Sequence, residues 1–315
     1  MQDNSNKTVV VIDDDPSVGL LVSVILKNLN YNVLTFLKGK DFLDQITKEP
    51  LPNLILLDLK LPDIDGYEIC KKIRENPLTT SIPIIVITGV DEIGSKIKMI
   101  ETGADDYINK PFDVRELKVR INRLLKRKER DSSLNPLTKL PGTPLIEEYT
   151  KKKIESKQHF SYAYIDIDGF KAYNDAYGYT KGDDVIKFLA KIIMQSFKNA
   201  RFEYFIGHIG GDDFVIITPC DKIIETVDEI IKRFDKEILN FYSEKDRKNG
   251  YITVADRMNN IIRFPIMRLS VAIVDVRKTI HYAKLIEKIF EIKKYLKSRA
   301  YSQSSTYHRD RRIND

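Results

Sequence analysis

Short apolar runs alternate with helix-spaced segments over the first 120 residues. Val9-Val10-Val11-Ile12, Asn32–Phe36, Leu54–Leu57, Ile84–Ile87 and Tyr107-Ile108 read as strands. Between them, Val18–Leu29, Lys40–Ile46, Tyr67–Arg74, Ile93–Glu101 and the stretch from Val114 onward repeat apolar residues three and four apart, the spacing of one helix face. Five strand–helix units of this kind predict an α/β domain over residues 1–122, its parallel sheet covered on both faces. Ligands of such sheets gather at the carboxyl ends of the strands. Those ends carry Asp13-Asp14-Asp15, Asp58, Thr88 and Asn109-Lys110.

The pattern then changes. From Asp113 to about Asp131, Leu117, Ile121 and Leu124 lie at helical spacing among Lys and Arg. Two readings fit. The helix emerges as a stalk over 123–135 on which two chains pair, or its apolar positions pack on the first sheet. Pro136 ends it, because the residue before proline avoids the helical region. The short joint implies that motion in the first domain is transmitted.

A second domain is expected over 136–315. The strand Phe160–Asp168 ends in Asp166 and Asp168, two apart and so on one face. Gly169-Phe170-Lys171 turns the chain into a helix carrying Asn174, and Gly182-Asp183 precede another, Val185–Phe197. Phe205 to Phe214 reads as a hairpin whose turn is Gly210-Gly211, since primed turns need the positive φ that glycine adopts cheaply. Asp212 and Asp213 then open the return strand on opposite faces.

Composition narrows the class. Apolar residues make up 42% and charged residues 31%, ordinary for a water-soluble chain. No run approaches the ~18 apolar residues that span a bilayer, so no membrane partner is expected. Two cysteines, Cys70 and Cys220, provide no disulfide framework or zinc site and point to a reducing cytoplasm. Residues 1–120 hold 15 Lys/Arg against 19 Asp/Glu, so of the chain's 52 and 46 the remainder holds 37 against 27. The +10 excess falls largely in Arg123–Arg130 and Lys293–Arg312. No nucleic-acid motif accompanies it, and a phosphorylated small molecule accounts for it more economically than a nucleic acid.

Carboxylates clustered at a strand rim need a cation to stay ionised together, and oxygen ligands suit Mg²⁺. A carboxylate beside Mg²⁺ can attack a phosphoryl group, Lys110 balancing the added charge and Thr88 bonding a phosphate oxygen. Asp166, free N–H groups at a helix start and Lys171 form a comparable cradle for a triphosphate. An amide at Asn174 and a carboxylate at Asp183 suit a guanine edge.

Residues 1–122 resemble a response-regulator receiver domain, in Val-Ile-Asp13-Asp14-Asp15-Pro16, Leu-Leu-Asp58-Leu-Lys60-Leu-Pro62-Asp-Ile-Asp-Gly66, Ile-Thr88-Gly89 and Asp106-Tyr107-Ile-Asn-Lys110-Pro111-Phe112. The resemblance implies a flavodoxin-like (βα)5 fold and a histidine kinase or phosphotransfer protein as partner. Asp58 becomes the phosphoacceptor, and Asp13, Asp14, Asp58 and the Lys60 carbonyl surround Mg²⁺. Thr88 and Tyr107, with Lys110, form the switch. Residues 134–300 resemble a GGDEF domain, a diguanylate cyclase fold related to polymerase palms. The matches are Pro136-Leu-Thr138-Lys-Leu140-Pro141, Asp166-Ile-Asp168-Gly-Phe170-Lys171, Asn174-Asp175-Ala-Tyr177-Gly178, Gly182-Asp183 and Gly210-Gly211-Asp212-Asp213-Phe214.

By that likeness Asp166, the Ile167 carbonyl and Asp212 hold Mg²⁺, and Asp212 and Asp213 are catalytic. Gly169, Phe170, Lys171, Asn174, Asp183, Gly211, Lys293 and Lys297 bind GTP. Two chains pair so that two GTP become cyclic di-GMP; the alternative is a domain that binds GTP and signals through protein contacts. The departures are Asp213 for the usual Glu, His208 for an Arg, Tyr179 for a His and Lys297 for an Arg. Tyr204 replaces the acid of the inhibitory Arg-x-x-Asp that begins at Arg201. Residues 241–260 look like an insertion, and the tail His308–Arg312 caps the sheet, grips a partner or stays without structure.

Overall fold

The computed structural model describes residues 7–48, 50–89, 101–255, 260–278, 280–298 and 304–310. The chain divides into two compact units, residues 1–131 and 132–315.

In the first unit, β1 (Thr8–Ile12), β2 (Asn32–Phe36), β3 (Leu54–Asp58), β4 (Ile84–Thr88) and β5 (Asp106–Asn109) form a parallel sheet in the order β2-β1-β3-β4-β5. All five expected strands are present. Helices α1 (Pro16–Lys27), α2 (Gly39–Leu43) and α3 (Gly66–Glu75) join them. Asp15 starts α1 by accepting from the Ser17 N–H at 2.8 Å, leaving Pro16 where its missing donor costs nothing. The expected Ile93–Glu101 helix lies, but for its last residue, outside the described residues. One core packs Val9, Val11, Leu54 and Leu56 on one sheet face, and a second packs Val10, Ile12, Ile55 and Leu57 on the other, the alternation a pleated strand imposes.

The long helix is α4 (Val114–Ser132). Leu117, Ile121, Leu124 and Leu125 are buried in the core that holds Val9 and Leu56. Of the two readings of its apolar stripe, packing on the sheet accounts for those positions. Burying each contributes roughly 1.5–3 kcal/mol.

The second unit begins with α5 (Thr143–Glu155) and β6 (Phe160–Asp168), followed by α6 (Phe170–Tyr177) and α7 (Tyr179–Ser196). Helix α7 starts six residues before Val185, so Gly182 and Asp183 lie inside it, in its first turns. The expectation that they precede the helix is corrected. Gly178 alone separates α6 from α7, and Gly182 is wound into the first turns of α7. The chain continues through β7 (Phe205–Gly210), β8 (Asp213–Thr218), α8 (Ile223–Glu237), α9 (Glu244–Asn249), β9 (Tyr251–Ala255), β10 (Ile261–Pro265), β11 (Arg268–Val276), α10 (Tyr282–Ser298) and β12 (Thr306–Asp310).

The main sheet runs β12-β11-β6-β8-β7. Odd-numbered residues of its centre, Ile165, Ile167, Leu269 and Val271, face α7 and α8. Even-numbered ones, Tyr162, Tyr164, Ala272 and Val274, face α10. The expected insertion is largely the α9 turn and an antiparallel β9–β10 ribbon. Tail residues 306–310 add the parallel edge strand β12. Arg309 clamps it with two bonds to buried Asp275, at 2.8 and 3.1 Å.

Candidate functional site

In the first unit the rim residues converge. Asp13 follows β1, Asp58 ends β3, and Lys110 follows β5. The Lys110 Nζ lies 2.7 Å from Asp13 Oδ2 and 2.5 Å from Asp58 Oδ2. The Lys60 N–H donates to Asp58 Oδ1 at 3.0 Å, so the Lys60 backbone adjoins the same rim. Asp13, Asp14 and Asp58 each offer a carboxylate oxygen, all within 4.8 Å of one another. An all-oxygen set of this charge fits Mg²⁺. Burial pushes the Asp13 carboxyl above its ordinary pKa, against the opposing Lys110 bond. For Lys110, burial works downward, but its bonds to Asp13 and Asp58 prevail and hold it above the usual lysine range. Thr88, ending β4, is fully buried, and Tyr107 packs partly buried against the core of Leu57 and Val86.

In the second unit the hairpin differs from expectation. Gly210 pairs with Asp213 across β7 and β8, so the two turn residues are Gly211 and Asp212, not Gly210 and Gly211. Gly211 has φ +55° and Gly210 φ +152°, both regions that a Cβ disfavours. A register shift between His208 and Gly210 moves the turn by one residue. Asp212 therefore sits in the turn itself, and only Asp213 opens the strand.

A cation joins these acids. Lys293 Nζ lies 2.7 Å from Asp166 Oδ1 and 2.9 Å from Asp213 Oδ1. Its ammonium also stands 4.6 Å from the centre of the Tyr164 ring. Lys297, four residues on and on the same helix face, reaches Asp166 at 3.3 Å. Burial opposes the charge on Lys293, yet its bonds to Asp166 and Asp213 outweigh that and raise its pKa well above the ordinary value. Asp212 lacks such a partner. Burial first, then the charges of Asp166 and Asp213, push its pKa up to about 6.

A cleft of about 840 Å³ opens beside these groups. Asp166, Ile167, Gly169, Phe170, Lys171, Asp212 and Lys297 line it, together with Arg268 and an apolar wall from Val254, Ile262 and Phe264 of the β9–β10 ribbon. Asp166, the Ile167 backbone and Asp212 are thus brought to one space, with hard oxygen donors suited to Mg²⁺. Asn174 and Asp183 do not line it. Asn174 Oδ1 is buried without a hydrogen-bond partner, an orphaned acceptor of the sort a ligand donor satisfies. Gly182 fits beside it only because it lacks a side chain: a Cβ there would lie 1.8 Å from that oxygen.

Two features escaped the sequence reading. Asp168 is held by the Ser270 hydroxyl at 2.5 Å and by Arg268 Nε at 3.2 Å. His208 is buried, stacked on Phe214 at 4.2 Å between ring centres, with Nδ1 2.9 Å from Thr138 Oγ1 and Nε2 3.0 Å from the Gly211 carbonyl. That carbonyl can only accept, so Nε2 carries the proton and Nδ1 accepts from Thr138. Burial lowers the His208 pKa, in keeping with a neutral ring. The histidine thus ties the turn to the loop before α5, a role legible only once Thr138 and Gly211 are neighbours in space.

Comparison with known proteins agrees with this division. Residues 9–122 match the response regulator receiver domain, and residues 132–255 match the diguanylate cyclase GGDEF domain. Among curated relatives, the DNA-binding dual master transcriptional regulator RpaA of Synechocystis is 39% identical over 125 residues, 39% of this chain and 50% of its own. The alkaline phosphatase synthesis regulator PhoP of Bacillus subtilis is 40% identical over 124 residues, 39% of this chain and 50% of its own. The chain spans about half the length of these curated relatives. Among solved structures, response regulator DrrB of Thermotoga maritima is 38% identical with a TM-score of 0.35, covering 39% of this chain and 54% of that one. A CheY-like receiver domain from Methanospirillum hungatei is 31% identical with a TM-score of 0.37, covering 39% and 97%. No described helix is long and apolar enough to cross a membrane. The chain therefore joins two families, carrying a response regulator receiver domain over residues 9–122 and a GGDEF domain of the diguanylate cyclase type over residues 132–255.

Proposed function

We propose that the chain is a cytoplasmic two-component response regulator whose receiver, phosphorylated on Asp58, controls condensation of two GTP into cyclic di-GMP by the GGDEF domain. In the receiver, an Asp58 oxygen bonds to the phosphorus of a kinase or phosphotransfer protein's phosphohistidine, and the P–N bond breaks. Asp13, Asp14 and the Lys60 carbonyl hold Mg²⁺ with Asp58. Lys110 leaves its place on Asp58 to pair with the new phosphoryl oxygens, and Thr88 and Tyr107 carry the change outward.

In the second domain, Asp166, the Ile167 carbonyl and Asp212 hold the metal. Bound there, Mg²⁺ supplies charge neutralisation for the triphosphate. Backbone at Gly169, Phe170 and Gly211, with Lys171, Lys293 and Lys297, holds phosphates, and Asn174 and Asp183 read guanine. Each 3′-oxygen bonds to the other nucleotide's α-phosphorus while the α–β anhydride bond breaks, so two pyrophosphates and two protons leave. One chain supplies half of that arrangement, and a homodimer completes it. The observation that carries the reading is Lys293 bridging Asp166 and Asp213 beside a cleft that Asp212 and the α6 start also line.

A second reading, GTP binding without synthesis, draws on Asp213. It is one methylene shorter than the usual glutamate and is engaged by Lys293 at 2.9 Å. The test is incubation of beryllofluoride-treated protein with labelled GTP and Mg²⁺. Cyclic dinucleotide with pyrophosphate supports synthesis, and tight GTP binding without either selects the second reading. Folded protein with no GTP affinity overturns both.

A further inference from the structure

We propose that Arg268 grips the terminal phosphates of the nucleoside triphosphate in this cleft, a role that rests on reading the cleft as a nucleotide site. Strand pairing places it there. Arg268 lies opposite Asp168 and Ser270 opposite Asp166 across β11 and β6, and residues directly opposite in an antiparallel pair share a face. It is the face that also presents Tyr164 and receives Lys293 and Lys297 from α10. Arg268 lines the cleft with Gly169, Phe170, Lys171 and Lys297, the groups assigned to phosphate.

Its side chain is held in advance. Arg268 Nε is 3.2 Å from Asp168 Oδ2, the oxygen that Ser270 holds at 2.5 Å. The Arg268 side chain is 7% exposed, so little side-chain freedom remains to be lost when a ligand arrives. A guanidinium presents paired donors that match two phosphate oxygens, which an ammonium cannot do. Lys171 and Lys297, the other cations of the cleft lining, are both point charges. Arg268 thus restores the forked contact missing from the helix position that Lys297 occupies.

Charge supports the assignment. Asp166, Asp168, Asp175, Asp212 and Asp213 set −5 against +4 from Lys171, Arg268, Lys293 and Lys297. A divalent ion taken up by the carboxylates turns this balance positive, and a triphosphate is an anion that then suits it.

The test is calorimetric titration of the full chain with GTP, GDP and GMP in Mg²⁺ buffer, comparing wild type with Arg268→Gln and Arg268→Lys. Loss of one charge-assisted contact predicts GTP affinity about 10- to 100-fold weaker in Arg268→Gln. GMP affinity stays unchanged, and Arg268→Lys recovers part of the loss. If Arg268→Gln does not fold, Arg268→Lys carries the test through a reduced GTP-to-GMP affinity ratio. An equal fall for GTP and GMP, or a ratio like wild type in both variants, overturns the role of Arg268 while leaving the nucleotide reading intact. Wild-type protein that binds none of the three removes both.

Discussion

The two carboxylate sites are built alike and assembled differently. Each sets acids at strand ends and runs a lysine between two of them: Lys110 between Asp13 and Asp58, and Lys293 between Asp166 and Asp213. In the receiver, every member is the last residue of a parallel strand or the next one or two beyond it, so the sheet order alone gathers them. In the second domain the acids come from a strand end and a hairpin turn, and the cations come from a later helix and an edge-proximal strand. A rim of parallel strands brings its chemistry to one end because all strands point the same way. An antiparallel sheet scatters its strand ends, and a helix must return across the face to close the site.

That difference predicts independence, and exchanging the lesions tests it. Asp58→Ala should abolish phosphoryl uptake from acetyl phosphate and leave Mg²⁺-dependent GTP affinity within about twofold, since each site draws its residues from its own unit and the two share no partner. Asp166→Ala should do the reverse, weakening GTP about 100-fold, as expected for one lost charged partner, with labelling intact. Labelling that survives in Asp58→Ala would show another acid to be the acceptor.

The geometry at position 213 sharpens the contrast. A misplacement of about 1 Å at a reacting centre can cost roughly 100-fold in rate, and aspartate is short by about that much. Asp213→Glu should therefore raise cyclic dinucleotide turnover about 10- to 100-fold at unchanged GTP affinity. A rate that stays level or drops, measured by pyrophosphate release, would place the limiting step elsewhere.

The smallest expected effect concerns the partnerless acid. Burial raises the Asp212 pKa from 3.8 to about 6 in the folded chain. A raised carboxyl pKa means that the folded state binds the proton more tightly than the unfolded state does. The stability this group contributes is intact below about pH 3.8, declines as pH rises toward 6 and is lost above it. In metal-free buffer, Asp212→Asn should stabilise the second domain by about 1–2 kcal/mol at pH 7, allowing for solvent screening on its open side. It should do nothing at pH 4. Urea unfolding at the two pH values measures this, and equal shifts at both would show that charge is not the cause. In the receiver, buried Asp13 is matched by Lys110, and the same substitution there frees a cation rather than relieving an anion.

Three strands of the receiver were legible because Val9–Ile12, Leu54–Leu57 and Ile84–Ile87 are runs of four apolar residues closed by an acid or a hydroxyl. The second domain was legible where its residues are contiguous, from Asp166 to Asn174 and around Gly211. It was misread wherever pairing register decides. The turn moved by one residue because a bulge between His208 and Gly210 is a property of two strands together. The start of α7 moved because Tyr179–Asp184 carry no apolar stripe, although the tertiary structure winds them as helix.

By itself the sequence determined the receiver's strands, their chemical ends and the likeness of the two parts to two families, since local periodicity and short motifs are written in neighbouring residues. Only the tertiary structure decided which cation meets which acid. It set Lys293 on Asp166 across 127 positions, Arg268 beside Asp168 across 100, and His208 between Thr138 and Gly211. Such contacts depend on register and on helix return, and no window of neighbouring residues encodes them.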